Sequence, residues 1–159
     1  LQAFANVKSN FSNSKLVIVG RGHLRKRLLN QAHSLGISSS VYIESSMSFE
    51  ELAELFRNAD LTVYPSYYEG QGLIPLESMS SGTPVVTVNH GPLPEMVDSE
   101  VGALFDMGDI NSMSETILKE ISDKKSLQKK GVAGRKRVLQ NFTYEIDADN
   151  FIEIYERIQ

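Results

Sequence analysis

The sequence predicts an α/β fold built on a parallel sheet with helices on both faces, and three observations carry that prediction. Short β-branched runs alternate along the chain with stretches of helical periodicity. Several of these runs end at glycine or proline, where a strand gives way to a loop. The length, 159 residues, suits one ordinary domain and leaves no room for a second of similar size.

The elements follow in order. Lys15-Leu-Val-Ile-Val-Gly20 is a short run suited to a strand buried on both faces. Leu24, Leu28, Leu29, Ala32 and Leu35 then recur at helical spacing, with Gly36 placed for a left-handed cap. Val41-Tyr-Ile43 is a second strand. Ser48 and Glu51 form a capping box, and Met47 is positioned to staple onto Leu52, so a helix runs to about Ala59. Leu61-Thr-Val-Tyr64 is a third strand, stopped by Pro65. A helix from about Leu73 to Ser80 ends at Gly82, and Val85-Val-Thr-Val88 is a fourth strand. A weaker strand lies near Ala103-Leu-Phe105. Three helices close the chain, roughly Asn111–Ile121, Ser126–Gln140 and Tyr144–Ile158. The last carries Ile146, Phe151, Ile154, Tyr155 and Ile158 on the side expected to be buried.

Composition removes several function classes. The hydrophobic fraction of 41% and charged fraction of 23% are near the globular average, which excludes disordered and fibrous chains. No apolar run approaches the ~18 residues a membrane span needs. The absence of cysteine excludes disulfides, thiolate metal sites and thiol nucleophiles, and fits a reducing, cytoplasmic compartment. A net charge of −4 disfavours a nucleic-acid partner. The first residue is Leu1, so the sequence reads as a piece of a longer protein.

Ligands of parallel sheets bind at the carboxyl ends of the strands, which singles out the loops Gly20–Leu24, Glu44–Ser48, Ser66–Leu73 and Asn89–Glu95. The third is the most informative: Pro65-Ser-Tyr-Tyr-Glu69-Gly70-Gln71-Gly72-Leu73-Ile74-Pro75-Leu76-Glu77. Two glycines let the backbone pass close to a ligand, and the helix that follows aims its free N–H groups and positive dipole end at the same place. That favours an anion such as a diphosphate. Glu69 precedes the helix and Glu77 lies inside it, eight positions on, a spacing that lets both carboxylates line one edge of a cleft. A carboxylate repels phosphate, so its partners are hydroxyl groups. Phosphate on amides and hydroxyls on acids together describe a sugar nucleotide. Taken alone, Glu-Gly-x-Gly is better read as a surface turn; the longer string changes the balance.

Pro65-Ser-x-x-Glu69-Gly-x-Gly-Leu73-x-x-Leu76-Glu77-x-Met79-x-x-Gly82-x-Pro84-Val85-Val86 resembles the motif of retaining glycosyltransferase family 4, of the GT-B fold, with Glu69 and Glu77 as its E-x7-E pair. Leu16-Val-Ile-Val-Gly-x-Gly22, Ala59-Asp60-Leu-x-Val63-x-Pro65-Ser66, Gly91-x-x-Pro94-Glu95 and Asn141-Phe142-Thr143-Tyr144 extend the resemblance over nearly the whole chain. It implies a Rossmann-like domain, the C-terminal, donor-binding half of a two-domain enzyme. Leu1-Gln-Ala-Phe4 resembles the end of a helix that follows two diphosphate-clamping basic residues, which would lie upstream together with the acceptor domain. Glu69, the catalytic candidate, would bind hydroxyls of the donor sugar. The amides of Gly70, Gln71, Gly72 and Leu73 would meet sugar and phosphates, and Glu77 would take the ribose hydroxyls. Ser46 and Met47 would pack on the nucleobase, with Gly20 and Gly22 shaping the floor. The resemblance implies a nucleoside diphosphate sugar as co-substrate, no metal and no cofactor. It also implies a hexosyl transfer with retention to a glycan or lipid-linked acceptor, which this piece alone would not catalyse.

Three departures stand out: Gln71 in place of the usual aromatic, Pro92 in place of the second glycine of a pair, and Arg21 between two glycines, read as facing solvent. Gly20-Arg-Gly22 is not a dinucleotide fingerprint, because Arg25 holds the third glycine position. Asp147-Ala-Asp149 lies on a helix expected to present it to solvent. His23, His33 and His90 lack metal-ligand spacing. From Lys124 to Arg137 there are seven basic residues and no acid. This run is read as a solvated helix face, in preference to a peripheral contact with the inner membrane face. Two rivals remain: an epimerase or hydrolase of the same fold, which needs no acceptor, and a non-catalytic binding module. A receiver-type signalling domain is weaker, since its acidic cluster is missing.

Overall fold

The computed structural model describes residues 1–158. Its elements are α1 (Gln2–Asn10), β1 (Leu16–Val19), α2 (Arg25–Ser34), a 3₁₀ turn (Ser38–Ser40), β2 (Val41–Glu44), α3 (Phe49–Asn58), β3 (Thr62–Tyr64) and α4 (Leu73–Ser80). They continue as β4 (Val85–Val88), α5 (Leu93–Met96), β5 (Gly102–Phe105), α6 (Ile110–Ser122), α7 (Lys124–Asn141) and α8 (Tyr144–Ile158). Every strand pairing is parallel, in a two-stranded sheet β1-β2 and a three-stranded sheet β3-β4-β5. The expected parallel α/β architecture is therefore present, divided into two sheets. Each sheet has its own core, one around Val85, Val86, Val88 and Met79, the other around Ala32, Ile37, Val41 and Ile43. Phe4 of α1 packs against both and ties them together.

Three helix starts have side-chain caps. Ser48 and Glu51 make both bonds of the capping box, at 3.2 and 2.8 Å. Asp109 Oδ1 accepts the N–H groups of Asn111 and Ser112, at 2.8 and 3.0 Å. Asp123 Oδ1 does the same for Lys125 and Ser126, at 3.0 Å each. These caps start α6 and α7 slightly earlier than periodicity alone indicates. The start of α4 has no side-chain cap.

α4 is held from below by α7. A Cβ on Gly131 would sit 2.1 Å from the carbonyl oxygen of Gly82, and one on Gly134 would sit 3.1 Å from Met79 Cγ. The two glycines let α7 approach closely enough to bury Met79 completely. Behind α4 a buried polar seam joins the neighbouring backbones. Ser78 Oγ shares a hydrogen bond with Thr62 Oγ1 at 2.8 Å and donates to Thr83 O at 3.1 Å. Thr83 Oγ1 donates to the carbonyl of Phe56, and Thr87 Oγ1 to Tyr64 O at 2.8 Å.

Several expectations are corrected. β1 is not buried on both faces: Leu16 and Ile18 pack inward with the α1 and α2 side chains, while Val17 and Val19 are each 38% exposed. The stripe of α2 is narrower than expected, with Leu24 and Leu29 exposed and only Ala32 fully buried. Leu1–Phe4 does not end a helix, because α1 continues to Asn10 and buries Val7. On α8, Phe151, Ile154, Tyr155 and Ile158 are all exposed, and no residue of that helix is buried among the described residues. The expected burial fails because the stripe has no packing partner in this part of the structure.

The basic run is also not one solvated face. Lys130 Nζ lies 2.8 and 2.7 Å from the two oxygens of buried Glu120 and donates to Gly102 O at 2.9 Å. Arg137 donates to Met96 O at 3.1 Å and pairs with Asp98 and Glu100, at 2.9 and 3.1 Å. Arg135 donates to Ser80 O. Lys124, Lys125, Lys129 and Lys136 remain exposed. Burial pushes the Asp98 carboxyl up, but hydrogen bonds from Arg137 and the Glu100 N–H outweigh it and hold the group below its ordinary value.

The Gly131 contact makes a direct prediction. Gly131→Ala forces α7 away from the Gly82 carbonyl, an overpacking that costs ~2 kcal/mol. Calorimetry should show Tm falling by about 4–8 °C, given roughly 2–4 °C per kcal/mol at this size. A change within 1 °C of zero would contradict the role given to the contact, at a resolution of roughly 0.5 kcal/mol.

Candidate functional site

The site is built on the segment that joins β3 to α4. Pro65 ends β3, since it offers no N–H to continue the ladder. The chain then turns so that Glu69 folds back on the strand it has left. The Ser66 hydroxyl proton is shared between Glu69 Oε1, at 2.9 Å, and the Tyr68 carbonyl oxygen, at 3.1 Å, and the Tyr64 hydroxyl donates to the same Glu69 oxygen. Burial, then the hydrogen bond and charge of Glu69, and then the charge of Glu77 push the Tyr64 phenol up to about 12, against a smaller opposing contribution from Ser66. Tyr64 therefore stays protonated and serves Glu69 as a donor.

Glu77 is the unusual member. Its Oε2 is buried and accepts no hydrogen bond, which is true of no other buried side-chain nitrogen or oxygen among the described residues. A buried carboxylate oxygen without a donor is costly to the folded chain.

Between the two acids, Gly72 takes φ +86° as the residue before α4, and a Cβ there would lie 2.8 Å from Leu93 Cδ2 and 3.0 Å from Met96 Cε. Glycine is needed for both reasons. The loop is thus seated on α5, a four-residue helix inside a stretch that the sequence indicates as loop. With no side-chain cap on α4, the N–H groups of its first turn, at Leu73 and Ile74, face outward toward the exposed Gly70 and Gln71.

Gly20, Gly22, Ser46 and Met47 form a second group at the ends of β1 and β2. Gly20 N–H donates to Glu44 O at 2.9 Å, and Arg25 donates to Ile43 O at 2.6 Å, which sets the two loops side by side. Arg21, expected to face solvent, is exposed but donates to Ser45 O at 3.2 Å. Ser46 is exposed and Met47 half-buried, and nothing lies within 4 Å of where a Cβ would stand on Gly20 or Gly22. No hydrogen bond joins this group to Glu69 or Glu77 among the described residues. They share only the carboxyl-end side of parallel strands.

Sequence reasoning missed Tyr64 and Ser66, which it took as strand end and lead-in, and Leu93 and Met96, which support Gly72. A phenol one residue before the strand-ending proline was the available signal for Tyr64. No group of three or more His, Asp or Glu residues is placed to hold a metal ion among the described residues. Asp147 and Asp149 are exposed on α8, as expected. Cavities of about 770 and 810 Å³ lie beside α1 and on the outer side of α7, and neither includes the Glu69 loop.

Residues 1–137 match the profile of the glycosyl transferases group 1 family. An MMP α-(1→4)-mannosyltransferase of Mycolicibacterium hassiacum is 35% identical over 125 residues, which are 77% of this chain and 30% of that enzyme. A sucrose-phosphate synthase from Thermosynechococcus elongatus superposes with a TM-score of 0.86 at 26% identity, over 99% of this chain and 41% of that one. Anabaena Alr3699/HepE, solved in complex with UDP and glucose, shares the fold at a TM-score of 0.81 and 21% identity, over 90% of this chain and 40% of its own. The chain therefore spans less than half the length of each of these relatives.

The orphaned oxygen of Glu77 predicts a trade between stability and binding. Replacing the carboxylate with an apolar group of similar shape in Glu77→Met removes the unpaired buried oxygen, a relief of ~1 kcal/mol. The ligand-free protein should therefore melt about 2–4 °C higher. A fall of that size would mean that Glu77 holds the loop together.

Proposed function

The chain belongs to the glycosyl transferases group 1 family, and on that premise we propose that it is the donor-binding domain of an enzyme that transfers a hexose from a nucleoside diphosphate sugar to an acceptor hydroxyl with retention of configuration. The observation that carries the reading is the unpartnered buried oxygen of Glu77. A ribose hydroxyl is a neutral donor that satisfies this oxygen without adding charge, whereas a phosphate would be repelled.

In this proposal the diphosphate lies at the start of α4, where the uncapped amides and the positive end of the helix dipole offset its charge. The amides of Gly70, Gln71, Gly72 and Leu73 line its path. Glu69 accepts from hydroxyls of the donor sugar and sets its orientation over the diphosphate. Ser46 and Met47 pack on the nucleobase, and the open Gly20–Gly22 turn forms the floor. As the glycosidic bond to the diphosphate breaks, negative charge grows on the leaving phosphate, and the fixed amides stabilise that charge without rearranging. Sugar orientation supplies the rest. No metal or cofactor is assigned a part. The acceptor, a glycan or lipid-linked sugar, belongs to a second domain in this reading, and the basic pair that completes the diphosphate clamp lies upstream of Leu1. Peripheral membrane contact would fall to Lys124, Lys125, Lys129 and Lys136, the members of the basic run that face solvent.

An epimerase or hydrolase, or a non-catalytic module, is less favoured, because the relatives named above include a mannosyltransferase covering 77% of this chain. Thermal shift with UDP, GDP, ADP and TDP and their common sugar conjugates, at millimolar concentration, tests the donor site. Ligand at about five times its Kd stabilises by roughly 1 kcal/mol, a shift of about 2–4 °C. The expected result is a shift with one base, abolished in Glu77→Ala. A panel in which no base shifts the chain would remove the donor-binding role from this part of the protein.

A further inference from the structure

We infer that Tyr64 is a positioning residue that, together with Ser66, saturates one oxygen of Glu69 and leaves the other for the sugar. The inference rests on the donor-binding reading above and assigns Glu69 a fixed presentation within it. Its basis is geometric. Glu69 stands on a loop tip between exposed Tyr68 and exposed Gly70, where a free carboxylate would rotate among several orientations. Two donors from two different chain positions converge on Oε1, the phenol at the end of β3 and the hydroxyl of Ser66. Such a fork fixes the carboxylate plane, and no hydrogen bond is made by Oε2 to any described side chain or backbone group. A sugar hydroxyl donating to Oε2 therefore meets an acceptor already oriented.

The phenol is suited to this work. Thr87 Oγ1, fully buried, holds the Tyr64 carbonyl at 2.8 Å and so fixes the strand end from which the ring projects. The proton stays on the phenol because burial and both carboxylates oppose its loss, so the donor does not switch off at working pH. A phenylalanine would fill the same space and keep the strand while removing the donor. Tyr64 does not touch the reacting atoms in this scheme; it acts through Glu69.

The test separates this role from a structural one. Wild type, Tyr64→Phe and Ser66→Ala are compared for UDP against UDP-glucose and for GDP against GDP-mannose by isothermal titration. In wild type the sugar conjugate should bind more tightly than the bare diphosphate of the preferred base. Tyr64→Phe should lose about fivefold of that sugar increment, the scale of one neutral hydrogen bond, with affinity for the bare diphosphate unchanged. A purely structural residue would weaken both ligands alike. The second readout needs no ligand: a slowly exchanging, downfield tyrosine hydroxyl proton in the NMR spectrum at neutral pH, lost in both Tyr64→Phe and Glu69→Ala. A wild-type protein that binds neither these pairs nor ADP, TDP and their sugar conjugates overturns the donor-binding reading itself. Wild type that shows the sugar increment, with Tyr64→Phe retaining it in full or lacking the hydroxyl signal from the outset, overturns the role of Tyr64 alone.

Discussion

The close approach of α7 to α4 decides where the helix that bears Glu77 begins and which way it is turned. α4 has only eight residues, too short to be stable on propensity and hydrogen bonds alone. Its place is set by the burial of Met79 against Gly134 and by the contact of Gly131 with the Gly82 carbonyl. Complete burial of a methionine side chain contributes about 2 kcal/mol, comparable to the whole net stability of a short helix. With its far end fixed in this way, α4 directs its uncapped first turn toward the loop that carries Glu69. A helix–helix contact remote from any ligand thus governs the geometry of the candidate site.

The polar seam extends this control to the strands. Ser78, Thr83 and Thr87 are buried hydroxyl residues, and each reaches a backbone carbonyl of a neighbouring segment. Buried hydroxyls are tolerated only when paired, and here the pairing has a positional effect. Thr87 on β4 holds Tyr64 at the end of β3, and Ser78 on α4 meets Thr62 at the start of the same strand. β3 has three residues and would be a weak element without those attachments. An apolar core alone would resist separation of these elements but not sliding between them. Directional bonds fix the register, and with it the loop that begins at Pro65.

The strands and most helices were legible because each depends on local features: β-branched runs, the Ser48–Glu51 capping box and glycines past helix ends. The elements that carry the acid pair were legible for a similar reason, since Pro65 ends β3 and Gly82 follows α4. What could not be read was pairing between distant positions. Lys130 with Glu120 and Arg137 with Asp98 turned parts of a basic run into structural ion pairs, and nothing in the run itself distinguishes those two from Lys124 or Lys136. The stripe on α8 shows the opposite failure. Its periodicity correctly indicates a helix with an apolar face, but periodicity does not say what covers that face, and here its side chains are exposed. α5 was hidden by Pro92 at its N-cap and Pro94 within its four residues, although proline is well accommodated in a first helical turn.

The two acids of the site are treated unequally by the fold, and the inequality carries a chemical consequence. Two carboxylates near one phenol repel each other, so a folded chain gains nothing by holding them there unless something offsets the cost. Glu69 receives its compensation from within the chain, through Tyr64 and Ser66. Glu77 receives none at Oε2. Glu69 is thus oriented before a ligand arrives, while Glu77 remains destabilising until a donor reaches it. The free energy released on satisfying Glu77 adds to ligand affinity, because the same group was unpaired in the free protein. A ligand that only places phosphate at the start of α4 does not collect this contribution; one that also brings hydroxyl donors does. On the proposed donor-binding reading, the unpaired acid would supply the discrimination between an inorganic anion and a sugar nucleotide, and the pre-oriented acid the direction in which the sugar is held.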